Sequence, residues 1–143
     1  MVHTFGTPEW AEAFQQEINR SSEYRNAGAE WGVNFNGNLL FLFVADAAFP
    51  ETQGLFMRLQ GGACQGVEFT SSETHPDAGF VLRAPFSLWK DIFERNAMAA
   101  TAILTGKLQV VGKKMKLLKY TAAHRALVHC ATLVGTHFPG VKA

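Results

Sequence analysis

The sequence predicts one domain in which helices and strands are segregated along the chain, with helices at both ends and strands between them. Three observations carry this reading. An apolar stripe at four-residue spacing, Trp10, Phe14 and Ile18, follows the helix-start signal Thr7-Pro8-Glu9. Short apolar runs separated by Asn-Gly and Gly-Gly pairs fill the stretch from Gly32 to Pro85. From Phe86 the spacing turns helical again, and Phe86, Trp89, Ile92 and Phe93 form a wide stripe. With 143 residues and no repeat or linker, residues 1–143 are most simply one domain with one sizeable core.

The elements follow in order. Thr7 can cap the first helix, Pro8 suits its first turn and Glu9 complements its dipole. Ser21-Ser22 can cap a second helix carrying Tyr24, Ala27 and Trp31. Gly32–Asn36 and Asn38–Ala45, joined at Asn36-Gly37, predict a hairpin, because Asn-Gly accepts the positive φ of a tight turn. Within it Leu39–Val44 is apolar at both parities, so this strand is covered on both faces or walls a cavity. Leu55–Gln60 and Gln65–Thr70 predict a second hairpin across Gly61-Gly62, between polar loops at 47–54 and 71–78. Phe80, Leu82 and Ala84 alternate along a strand that Pro85 ends. Helices over Phe86–Arg95 and Asn96–Thr105 precede a last strand, Leu108–Val111, between Gly106 and Gly112. Met115 and Leu118 begin an amphipathic segment. Leu127, Ala131, Val134 and Phe138 then stripe a charge-poor helix over Thr121–Phe138 that must lie against something apolar.

Composition narrows the function. Hydrophobic residues make up 48% and 12 residues are Phe, enough to pack a core or to line a cavity for an apolar ligand. Net charge is +1, but all 12 carboxylates lie between Glu9 and Glu94 against five Lys/Arg, while eight Lys/Arg follow with no carboxylate, so the two parts carry −7 and +8. Either the parts neutralise each other in one fold or the basic part meets an anion. The first 19 residues hold no Lys or Arg, the run Leu39–Ala45 is far short of the ~20 residues of a membrane span, and the last three residues are not a Ser-Lys-Leu address. A soluble cytoplasmic protein is expected.

The residues offer little chemistry. His124 and His129 are five apart rather than four, and His3, His75 and His137 are isolated, so no metal site is expected. No nucleophile elbow, phosphate loop or dinucleotide fingerprint is present, and no cofactor is expected. Asp91 and Glu94 read as a solvated helix face. Lys107, Lys113, Lys114, Lys116 and Lys119 are dense, yet the acidic first part and a pI near 7.8 argue against nucleic acid. These lysines either meet anionic headgroups or acyl-CoA phosphates, or form a solvated face around Met115 and Leu118.

The order of motifs from Gly79 to Tyr120, the block S-S-E-Y-R-N-A-G-A-E-W-G at Ser21–Gly32, the turn Gln60–Cys64 with Val67, and T-G-K-L-Q-V-V-G-K at Thr105–Lys113 together resemble the sterol carrier protein family, in its small stand-alone bacterial form. The resemblance spans Trp10 to Phe138 and implies an α+β fold. That fold is a mostly antiparallel sheet of five or six strands, with helices covering one face and an apolar tunnel between. It implies a non-catalytic lipid-binding or lipid-transfer protein holding a fatty acid, acyl-CoA, sterol-like or isoprenoid lipid. Carried over by position, the lining comprises Phe86, Trp89, Phe93, Met98, Ile103, Leu108, Val110, Met115, Leu118, Leu127 and Val134. Lys113, Lys114 and Lys116 are the candidate anionic-headgroup contacts, through which a transient membrane contact is conceivable. Lys113 departs from the family, which often has an acid or amide after the closing glycine. The sequence leaves the oligomeric state open, a homodimer included. Two alternatives remain: a small enzyme with Arg83, Arg58 or His129 buried at the cavity end, and an interaction module docking through the basic C-terminal part.

Cys64 and Cys130 have neither metal-ligand spacing nor a disulfide framework around them. Thiol counting on denatured protein without reductant should find two per chain; a count of zero would overturn the cytoplasmic expectation.

Overall fold

The computed structural model describes residues 2–47, 49–95 and 99–138. In chain order the elements are β1 (His3–Thr4), α1 (Pro8–Arg20), α2 (Ser22–Ala27), β2 (Leu39–Val44), β3 (Gln53–Gln60), β4 (Ala63–Thr70), β5 (Phe80–Pro85), α3 (Phe86–Arg95), α4 (Ala99–Leu104), β6 (Gln109–Val111), α5 (Lys114–Lys119), α6 (Thr121–Thr132) and β7 (Thr136–His137). Among the described residues the main sheet has five strands in the order β4-β3-β2-β5-β6, and β1 pairs separately with β7. Only the β2–β5 pairing in the main sheet is parallel; its other neighbours are antiparallel. This is the α+β, mostly antiparallel architecture that the resemblance implied.

Sequence explains the local structure. Thr7 Oγ1 accepts from the Trp10 amide at 3.3 Å and Ser21 Oγ from the Tyr24 amide at 3.0 Å, so both caps form as read. Helix α1 turns Trp10, Ala11, Phe14 and Ile18 inward. It is tied to the start of β4 by Asn19, whose side-chain amide donates to the Cys64 carbonyl at 2.9 Å and whose Oδ1 accepts from the Cys64 amide at 2.8 Å. The β3–β4 hairpin turns at Gly61 and Gly62, both at positive φ (63° and 85°), the backbone a tight primed turn needs.

The central strand β2 has apolar residues on both faces, and both are covered. Leu39, Phe41 and Phe43 point into the main core with Leu55, Met57, Phe80 and Leu82 of the flanking strands, under side chains from α1, α2, α3, α4, α5 and α6. Leu40, Leu42 and Phe56 form a second cluster on the opposite face, joined by Ala78 and Val81. The loop 71–79 crosses that face. His75 stacks flat on Phe56, with centroids 3.6 Å apart, and the guanidinium of Arg58 stands 5.0 Å from the same ring. Arg58 also pairs with Asp77 at 2.9 Å, Arg83 with Glu73, and His75 Nε2 with Glu68 at 3.1 Å.

Three expectations change. The hairpin at Asn36-Gly37 does not form. Asn36 Oδ1 accepts from the Asn38 amide at 3.0 Å, a local turn that satisfies the backbone without a strand, and β2 takes β3 and β5 as partners. Trp31 lies beyond α2, which ends at Ala27; its indole donates to the Gly37 carbonyl at 2.8 Å. Helix α6 stops at Thr132 instead of running to Phe138, because the chain extends there to pair with β1: the His3 amide donates to the Gly135 carbonyl and Thr136 sits opposite His3.

Two glycines separate backbone strain from contact. Gly106 has φ of 79° and nothing within 4 Å of an added Cβ, whereas at Gly62, with φ of 85°, that Cβ would lie 2.6 Å from the Arg25 carbonyl oxygen. Gly106→Ala should cost the dihedral penalty alone, ~1–3 kcal/mol. Gly62→Ala should cost clearly more in urea unfolding. Equal costs would mean that the Arg25 backbone yields freely.

Candidate functional site

The candidate site is the apolar interior between the front face of the sheet and the helices. Pro85 ends β5 and the chain turns directly into α3, which sets Phe86, Trp89 and Ile92 against β2 and β5. Trp89 is 1% exposed, stacks on Phe41 at 4.6 Å and donates from its indole nitrogen to the Leu42 carbonyl at 2.8 Å. Phe93 is half-buried beside Trp89 and Phe43. Phe86 stacks on Phe49 at 4.3 Å.

The sequence-predicted lining residues divide as follows. Phe86, Trp89, Ile103, Leu108, Leu127 and Val134 are buried in this one core, and Phe93, Val110 and Leu118 are partly buried against it. Met98 falls outside the described residues. Met115 does not join them. It is 76% exposed, because α5 turns Leu117 inward and places Met115 on nearly the opposite side. Of the candidate headgroup lysines, Lys113 and Lys114 are exposed, while the Lys116 ammonium sits 4.0 Å over the Phe35 ring.

Sequence reasoning missed the aromatic hub. Phe5 touches Trp10, Phe43 and Phe69, each with centroids 5.0 Å apart, and Phe138 at 5.2 Å. It lies in a short segment before α1 with no periodicity to reveal it. At the other end Trp31 meets Phe35, Phe80, Tyr120 and His124; only the helical spacing of Tyr24 and Trp31 hinted at its burial.

Electrostatically the interior is silent. Among the described residues no polar or charged side chain is fully buried apart from Tyr24, Cys64 and Cys130, which belong to the core. Burial pushes the Cys64 thiol up to about 11 and raises Tyr24 and Cys130 as well, while burial pulls the His124 imidazole down to about 4. Every one of these shifts favours the neutral form at pH 7. Tyr24 Oη and His124 Nε2 are enclosed without a hydrogen-bond partner among the described residues. The groups that an enzyme reading required lie elsewhere. Arg58 and Arg83 are at surface ion pairs on the back of the sheet, and His129 is exposed. No group of three or more His, Cys, Asp or Glu among the described residues is placed to hold a metal, and no helix there is long and apolar enough to cross a membrane.

Residues 42–124 match the family model described as the SCP-2 sterol transfer family. Among solved structures the chain is similar to a crystal structure of sterol carrier protein 2, with 28% identity, a TM-score of 0.78, and 91% of this chain and 98% of that one covered. It is similar to the solution structure of a conserved hypothetical protein, possibly a sterol carrier protein, from Thermus thermophilus, with 29% identity, a TM-score of 0.79, and coverage of 93% and 91%. The apo form of sterol carrier protein 2 from Yarrowia lipolytica shares the fold at 16% identity, a TM-score of 0.55, and coverage of 90% and 92%. No curated protein matches the sequence.

The neutral interior gives a pH signature. His124 is lowered from 6.5 to about 4, so the unfolded chain binds the proton more readily. Its contribution is fully present above the unfolded pKa and is lost as pH falls through the folded one. Stability should therefore decline by ~1–3 kcal/mol between neutral pH and the folded pKa. His124→Phe, which keeps a flat ring, should flatten that slope in urea titrations run across the range; an unchanged slope would place the titration elsewhere.

Proposed function

The chain belongs to the SCP-2 sterol transfer family, and on that footing we propose that it holds an apolar lipid between the sheet and helix α3 and performs no chemistry on it. The ligand class is a fatty acid, acyl-CoA, sterol-like or isoprenoid lipid. The proposed tunnel runs between Phe86, Trp89 and Phe93 and Ile103, Leu108 and Val110, with Leu118, Leu127 and Val134 at its closing side; Met98 joins this proposed set by its position in the sequence alone.

The observation that carries this reading is the neutrality of the interior. Desolvation disfavours the charged form of Tyr24, Cys64, Cys130 and His124 alike. A nucleophile or general base needs the reverse, a group drawn toward its reactive form near pH 7. An aromatic, uncharged interior instead suits binding by shape and apolar contact. Two buried polar atoms of this core, Tyr24 Oη and His124 Nε2, have no hydrogen-bond partner among the described residues.

Native mass spectrometry of the purified chain, with extraction of what it carries, should find lipid in stoichiometric amount. Trp89→Ala separates lining from packing. Truncating a core tryptophan costs ~3–5 kcal/mol of stability, and a lining role adds a loss of affinity for a fluorescent fatty acid. Lost stability with unchanged affinity would assign Trp89 to the core alone, and a chain that carries no lipid and takes up none would sink the proposal.

A further inference from the structure

We infer that the corner formed by the edge strand β6 and helix α5 is a membrane-docking surface, and that its occupant is an anionic bilayer. The inference rests on the lipid reading for its purpose, the exchange of ligand with a membrane, but its surface is argued from other residues.

Large apolar side chains are exposed at few places among the described residues, and three of them, Leu104 (68%), Val111 (68%) and Met115 (76%), fall within twelve residues of chain. Those residues span the end of α4, the edge strand and the start of α5. The Leu108 amide bonds the Ala102 carbonyl at 3.0 Å, which holds the end of α4 against the strand. Val111 stands opposite Val81 on the back face of the sheet, and β6 is the last strand on that side. Gly112, at φ of 126°, then turns the chain into α5. Because α5 buries Leu117, its outward side carries Met115 and, four residues on, Lys119. Lys107, Lys113 and Lys114 are exposed too and lie within three residues of Leu104, Val111 or Met115 along the chain, and the sequence from Arg95 onward contains no carboxylate.

Exposed apolar residues with exposed lysines beside them in the chain are what an interfacial segment needs. The apolar side chains enter the boundary between headgroups and acyl chains while the ammonium groups meet lipid phosphates. The charge decides among occupants. A second copy of this chain would bring the same unneutralised lysines against themselves, whereas an anionic leaflet complements them. Lys116 contributes less, since its ammonium is already over Phe35.

The test is sedimentation of the full chain with vesicles of phosphatidylcholine, with and without phosphatidylglycerol. Binding should favour the anionic vesicles and fade as salt shortens the Debye length from ~10 Å at 0.1 M to ~3 Å at 1 M. Each exposed lysine removed should lower partition about fivefold, so Lys113→Gln with Lys114→Gln should cost roughly twenty-five-fold. Val111→Ser with Met115→Ser should weaken binding to the anionic vesicles at every salt concentration. Arg20→Gln, on α1 at the far edge of the sheet, should change partition little. Equal binding to both vesicle types at low salt would overturn the inference, as would an Arg20→Gln effect matching that of the lysine pair. A chain that sediments as a dimer until Val111 and Met115 are replaced would overturn it in favour of a self-interface. Uptake of a fluorescent fatty acid from solution, measured on Val111→Ser with Met115→Ser, should be unaffected, because both side chains stand outside the core. A loss there, or a wild-type chain that takes up no lipid while still docking, separates failure of the ligand reading from failure of this one.

Discussion

The fold depends on the central strand β2 being apolar on both faces. Leu39, Phe41 and Phe43 face one way, and Leu40 and Leu42 the other. With β3 and β5 paired on either side, the strand's edges are closed and both its faces must be closed too. The two covers differ in kind. The front is covered by helices and becomes a deep core. The back is covered by the loop 71–79 and buries only Leu40, Leu42 and Phe56. The ion pairs along that loop are largely exposed, so each contributes about 0–1 kcal/mol. Burying Phe56 beneath His75 is worth ~1.5–3 kcal/mol. Apolar closure therefore drives the loop down, and Arg58–Asp77 and Arg83–Glu73 set where it lies.

This asymmetry gives the two faces interiors of different kinds. A thin cover over three side chains leaves no depth on the back. The front is a deep aromatic core, and desolvation disfavours the charged form of Tyr24, Cys64, Cys130 and His124 within it. This interior is filled by packed side chains. Among the described residues its buried polar side-chain atoms without a partner are Tyr24 Oη and His124 Nε2.

How much of this was legible in the sequence follows from the range of each signal. Thr7 and Ser21 announced their helices because capping is a contact three residues long. Gly61-Gly62 announced its hairpin because positive φ at both positions is a local demand. The double-parity run of β2 announced its two covers, but not that one would be a loop, since nothing in residues 71–79 is periodic. Asn36-Gly37 misled because an asparagine side chain can close a turn by itself, and the choice between that and a strand is made by the distant Asp77, whose carbonyl takes the Asn36 amide. Of the proposed lining, the residues on α3 and α6 were readable from helical stripes. Met115 was not, because on a six-residue helix a shift of two positions, from Met115 to Leu117, reverses the face. Phe5 reaches the core only because β1 pairs with β7 across nearly the whole chain, a contact without a local trace.

The opposite charges of the two parts of the chain do not simply cancel where they meet. Arg20–Glu17, Arg58–Asp77, Arg83–Glu73 and His75–Glu68 all join residues of the acidic part to one another. The three arginine pairs use cations of that part, and among the described residues none of them draws on the lysines that flank β6 and lie on α5. Those lysines instead meet rings, Lys116 over Phe35 and Lys119 near Tyr120, or stand in solvent. Cation–π contacts hold a lysine in place without neutralising it. The field at that corner of the molecule therefore stays positive, and it does so next to Val111 and Met115, where the apolar surface is also uncovered.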